Sequence, residues 1–130
     1  MGMEMKMLLW AVLLGLLQVA LAATLATGQR GLGWNAGPRD DSPRPLTGAA
    51  GRLDRASRNF LETFGFFAVA VLLLVQSQKG TDQSAMGAQL YFWARVAYIP
   101  AYALGISYVR TAIWAASMAG LVMVLLPLFG

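Results

Sequence analysis

Four apolar runs divide this 130-residue chain, and each is close to the length that crosses a bilayer. They cover residues 5–27, 52–77, 84–105 and 109–129, the second counted with a polar turn at its start. Roughly 20 apolar residues in helical form span ~30 Å of hydrocarbon. Lipid offers the backbone no hydrogen-bond partner, so spanning segments are helices or the strands of a closed barrel. These runs lack the apolar–polar alternation of barrel strands. The expected fold is all-α, an integral membrane bundle of four transmembrane helices in one domain. Composition removes the soluble alternative. The chain is 58% hydrophobic and 12% charged, whereas a soluble domain carries about a quarter charged residues. A chain this short has too little interior to hide such an excess. The formal charge of +4 therefore gives no reason to invoke nucleic acid; where the charges sit matters more.

The first run imitates a secretory leader, with Lys6, an apolar core and the trio Ala20-Leu21-Ala22. Its apolar stretch continues through Ala26, longer than an ordinary leader, and three further runs follow, so it is read as the first helix. The connector after it holds three of the five prolines, several glycines and the pair Asp40-Asp41, all loop chemistry. Arg30, Arg39, Arg44, Arg52, Arg55 and Arg58 lie between the first run and Phe60, where the apolar part of the second begins, against Lys79 alone in the next loop. The positive-inside rule then puts the first and third loops in the cytoplasm and both termini outside, which in a bacterial inner membrane means the periplasm. The absence of cysteine and histidine excludes disulfides, protein thiolates and the usual zinc sites. Asp40 and Asp41 alone make a poor metal site, and no metal is expected.

Charge placed at the mouth of an apolar span is costly unless it has partners. Residues 55–63 read RASRNFLET, and Arg55, Arg58, Asn59 and Glu62 share one helical face through spacings of three and four. A structural pair between Arg58 and Glu62, with Arg55 reaching to headgroups, is the plain alternative. The third run carries Arg95 mid-span, with Tyr98 and Tyr102 on the same face and Pro100 positioned to bend the helix. Its plain alternative makes the two tyrosines interface residues. Arg110-Thr111 opens the fourth run, where an arginine can equally be a positive-inside anchor. Together these groups suit a small polyanionic ligand that also bears an amino group. Guanidiniums would take its carboxylates, and Glu62 its ammonium. The tryptophans at 10, 34, 93 and 114 include interface anchors.

RASRNFLET resembles the helix-two signature of the MAPEG family (membrane-associated proteins in eicosanoid and glutathione metabolism), close to R-A-x-x-N-x-x-E. WARVAYIPAYALG is similar to the family's third helix, Arg110-Thr111 to the pair that opens its fourth, and SPRPLTG to its first loop. The match runs in order over nearly the whole chain. The resemblance implies a trimer with glutathione as co-substrate in a cleft between subunits. It implies that Arg55, Arg58, Asn59 and Glu62 hold glutathione, that Arg95, Tyr98 and Tyr102 line the cleft, and that Arg30 reaches in from an adjoining subunit. Arg110 would face the thiol, with Thr111 as a hydrogen-bond donor. A guanidinium beside a thiol favours the thiolate, which would attack a hydrophobic small molecule arriving from the membrane lipid. The implied function is a glutathione-dependent transferase or peroxidase. The alternative within the same fold is a lipid-binding or scaffolding protein without turnover, because fold alone does not guarantee a reaction.

Overall fold

The computed structural model describes residues 1–130, mostly helical and without a single strand. Helix α1 is Met3–Arg30, the short α2 is Leu32–Ala36, α3 is Gly48–Gln76, α4 is Asp82–Ala103 and α5 is Ser107–Leu125, continued by a 3-10 turn at Leu126–Phe129. Three of them are long and apolar enough to cross a membrane: α1, α3, and α5 with its 3-10 turn. Helix α4 is 22 residues long, ~33 Å at 1.5 Å per residue. It is not among the three, because Asp82, Gln83, Gln89 and Arg95 dilute its apolar content.

Helix α1 is apolar all round, as a span facing lipid should be. Only one stripe of it is buried, through Met7, Ala11, Gly15, Gln18 and Ala22 at helical spacing. Leu9, Trp10, Leu13, Leu16 and Leu17 point outward. The stripe lies against α3, where Phe60 presses its ring onto Gly15; a Cβ there would stand 2.8 Å from the ring. Farther along α3, Phe67, Val71 and Leu74 form the centre of the core with Ala88 and Tyr91 of α4 and Val124 of α5. Phe67 stacks on Tyr91 at 4.1 Å between ring centres. The buried Tyr91 hydroxyl shares a hydrogen bond with Thr63 Oγ1 at 3.1 Å, so its polar atom is satisfied.

The most extensive helix pair is α4 with α5. Gly87 and Gly120 face each other there, and a Cβ on Gly120 would lie 2.6 Å from the Gly87 carbonyl oxygen. The sequence has no G-x-x-x-G on either helix; the close approach comes from one glycine on each, the small-residue contact that lets membrane helices approach backbone to backbone. Arg52 Nη1 donates to the Ala103 carbonyl at 3.1 Å. A cation from α3 thus caps the C-terminus of α4, where the helix dipole is negative, and holds the turn into α5, which Gly105 makes at φ +73°.

Two polar clasps close the ends of the bundle. At the connector, the Gln29 side chain donates to the Thr47 carbonyl and accepts from the Thr47 N–H, both at 3.0 Å. Helix α3 starts directly after this clasp, four residues ahead of the expected position 52. At the opposite end the buried Glu4 accepts a 2.6 Å hydrogen bond from Ser84 Oγ in the first turn of α4. Ser84 also forms a reciprocal capping box with Thr81. A carboxylate beside a helix N-terminus is favourable, and a hydrogen bond to a charged group is worth about 1.5–3 kcal/mol. Glu4→Ala is therefore expected to destabilise the folded protein by about 2 kcal/mol. Thermal unfolding in detergent measures this, and an unchanged midpoint would show that the clasp adds nothing.

Candidate functional site

A cavity of about 410 Å³ opens between α3, α4 and α5, at the end of the bundle nearest the connector. Its α3 wall is the polar face of RASRNFLET: Arg55, Arg58, Asn59 and Glu62 all line it. Tyr98 and Tyr102 form the α4 wall, one turn apart, with ring centres 5.5 Å from each other. Arg110, Thr111 and Trp114 form the α5 wall at spacings of one and three. Each group shares a face because helical residues three and four apart are neighbours. The tertiary fold turns the three faces toward one another.

Tyr102 stands between two guanidiniums. Arg55 Nε donates to its hydroxyl at 3.3 Å, and the Arg110 guanidinium lies 4.6 Å from its ring centre. A cation over an aromatic face gains about 0.5–2 kcal/mol, depending on how dry the site is. This contact sets where Arg110 sits without using up its N–H donors. Thr111 donates its hydroxyl to the Ser107 carbonyl of its own helix at 3.2 Å. In that rotamer it offers the cavity an acceptor; donating inward requires it to turn.

The pair between Arg58 and Glu62 does not form. Arg58 Nε lies 3.2 Å from Asp54 Oδ2 instead. An acid four residues ahead of a base is the better helical orientation for such a pair. Glu62 has no cation within salt-bridge distance and lines the cavity as a free carboxylate. Asn59 contributes a buried Oδ1 with no hydrogen-bond partner, an acceptor aligned with the same wall.

Arg95 does not line the cavity. It is 1% exposed and sits behind Tyr98, its guanidinium 4.3 Å from that ring and 5.7 Å from the Phe60 ring. Its Nε, Nη1 and Nη2 have no hydrogen-bond partner. Arg30 lies in the connector, outside the cavity, donating to the Arg44 carbonyl at 2.9 Å and resting 5.5 Å from the Trp34 ring centre. Trp114 is the lining residue that sequence reasoning does not find, since it reads there as an interface anchor. Its spacing of four from Arg110 was the available signal.

A family model described as the MAPEG family matches residues 7–129. The chain belongs to the MAPEG family. The matched segment contains every residue that lines the cavity, the whole of α3 and α5, and α1 from its fifth residue onward. A search of curated proteins finds no match. As a MAPEG protein the chain is a membrane protein, and its outward-facing leucines contact lipid rather than water. The lining of this cavity is mostly polar, with cations in excess. It presents Arg55, Arg58 and Arg110 against the single carboxylate of Glu62.

Proposed function

We propose that this MAPEG protein binds glutathione in the α3–α4–α5 cavity and transfers it to hydrophobic electrophiles that arrive through the membrane. One observation carries the reading: three guanidiniums and one carboxylate without an ion-pair partner share a single cavity, with Asn59 on the same wall. Glutathione has two carboxylates, an ammonium and peptide N–H groups, and these match that set. Arg55 and Arg58 would take carboxylates, Glu62 the ammonium, and Asn59 Oδ1 a peptide N–H. The thiol end would then reach Arg110. The guanidinium favours the thiolate and stabilises it at attack. The thiol proton passes to water, sulfur bonds to the electrophilic carbon, and any leaving group departs with its electron pair. In the peroxidase variant sulfur attacks a peroxide oxygen, an alcohol leaves, and a second glutathione completes the disulfide with release of water.

The reading includes α4 as a fourth span and a homotrimer as the working assembly, in which Arg30 would leave the Arg44 carbonyl to meet the ligand of a neighbouring copy. One feature supports this: helix α4 is too polar to face lipid alone. Both termini are read as outside the cytoplasm, from the six arginines between residues 30 and 58, at the facing ends of α1 and α3 and in their connector.

Calorimetric titration of glutathione into detergent-purified protein tests the reading. Saturable binding is expected, weakened about 10- to 100-fold by Glu62→Ala, the loss of a charge-assisted hydrogen bond of about 1.5–3 kcal/mol. No saturation up to about 10 mM, weaker than an affinity worth about 4 kcal/mol, would overturn it in favour of lipid binding without turnover.

A further inference from the structure

The four tryptophans differ in what they face. Trp10 and Trp93 are 53% and 60% exposed and point outward from α1 and α4. Trp34 rests in the connector against Arg30 and Arg39. Trp114, 38% exposed, is the one that lines the polar cavity. It stands four residues beyond Arg110 on α5, so its side chain shares the face of Arg110, displaced ~6 Å along the axis toward the middle of the span. The other lining side chains carry charges, an amide or hydroxyls. Tyr98 and Tyr102 also present rings, but Tyr102 already stacks under Arg110 and both carry hydroxyls, so the indole is the lining aromatic without a hydroxyl, set toward the middle of the span.

We propose that Trp114 selects the electrophile, favouring flat, electron-poor aromatic rings over flexible alkyl acceptors. This rests on the reading of the cavity as a glutathione site. An electron-rich indole stacks offset on a flat ring. Stacking holds that ring parallel to Trp114 with its edge toward Arg110, where the thiolate is held. A flexible chain meeting the same surface gains contact but no fixed orientation, so fewer of its bound poses are productive. For a halonitrobenzene, sulfur bonds to the ring carbon bearing the halogen, the halide leaves with the carbon–halogen electron pair, and the thiol proton goes to solvent. For a linear α,β-unsaturated aldehyde, sulfur bonds to the β-carbon and the α-carbon takes up a proton from solvent. The two reactions need the same thiolate and differ in the shape that Trp114 meets.

The test compares conjugation of glutathione to a halonitrobenzene and to a linear α,β-unsaturated aldehyde in the full-length protein, with Trp114→Leu and Trp114→Phe variants. The expected result is a fall of about 5- to 10-fold in the aromatic-to-alkyl ratio of kcat/KM in Trp114→Leu, the scale of one stacking contact. Trp114→Phe should keep the ratio within about threefold, since a phenyl ring also stacks. Both acceptors meet the same bound glutathione, so a change in its affinity cancels in the ratio. An unchanged ratio, or an equal loss for both acceptors, overturns the proposal and leaves Trp114 a structural residue. A second measurement does not depend on glutathione: an unreactive nitrobenzene titrated into the parent should quench tryptophan fluorescence saturably, and the quenched fraction should shrink in Trp114→Phe. If glutathione fails to bind but this quenching is present, the transferase reading falls and the aromatic platform stands. If glutathione binds and the quenching is absent, the platform falls alone.

Discussion

Replacing Arg110 by alanine is expected to lower kcat for glutathione conjugation by about 100- to 1,000-fold, the scale for losing one preorganised charge-stabilising donor. Arg110 lines the cavity and is held 4.6 Å from the centre of the Tyr102 ring, so its donors are free to meet a ligand. Losing the cation lets the thiol return toward its ordinary pKa of about 8.5. At neutral pH the variant holds little thiolate, and raising the pH through the ordinary thiol range restores part of the rate. Parent activity should change much less over the same range, because its thiolate is already formed. Arg110→Lys keeps the charge without the planar fork and should fall between the two. The ultraviolet thiolate band of bound glutathione checks the cause: it should be present in the parent at neutral pH and weak in Arg110→Ala. A variant with full activity and an unshifted pH profile would remove Arg110 from the chemistry.

A second large effect is expected outside the cavity, where α4 meets α5. Gly120→Leu puts a side chain where even a Cβ would stand 2.6 Å from the Gly87 carbonyl oxygen and 2.7 Å from the Tyr91 nitrogen. Both obstacles are backbone atoms, so no change of rotamer relieves the clash, and α4 and α5 must separate. Overpacking of this kind costs about 1–3 kcal/mol and occasionally more. At the upper end the unfolding midpoint should fall by about 10 °C. Because α4 carries Tyr98 and Tyr102 while α5 carries Arg110 and Thr111, glutathione binding should weaken in the same variant. Gly65→Ala is the control. Gly65 is helical, and an added Cβ there meets nothing within 4 Å, so the midpoint should hold or rise slightly. Equal behaviour of the two variants would show that the Gly87–Gly120 contact is not what holds the helices together.

Much of the site was legible because helical periodicity is a strong constraint. Arg55, Arg58, Asn59 and Glu62 had to share a face once residues 52–77 were helical, and they do line one wall. Spacing does not say which of two possible partners an arginine chooses. Arg58 lies between Asp54 and Glu62, each four residues away, and pairs with Asp54. Nor does spacing say how deep a residue sits. Arg95 shares a helical face with Tyr98 and Tyr102, yet it is buried behind Tyr98.

By itself the sequence determined the medium and the local faces: apolar runs too long for a soluble core, helices forced by a solvent without hydrogen bonds, and polar residues spaced to lie together. The tertiary structure decided the rotation of each helix about its axis, because that angle is set by shape at the contacts. Gly87 against Gly120 fixes how α4 meets α5, and Gly15 under Phe60 fixes how α1 meets α3. Arg52 on the Ala103 carbonyl fixes the turn between α4 and α5. These contacts join residues 33, 45 and 51 positions apart, beyond the reach of any local pattern, and they are what bring Trp114 into the cavity and take Arg95 out of it.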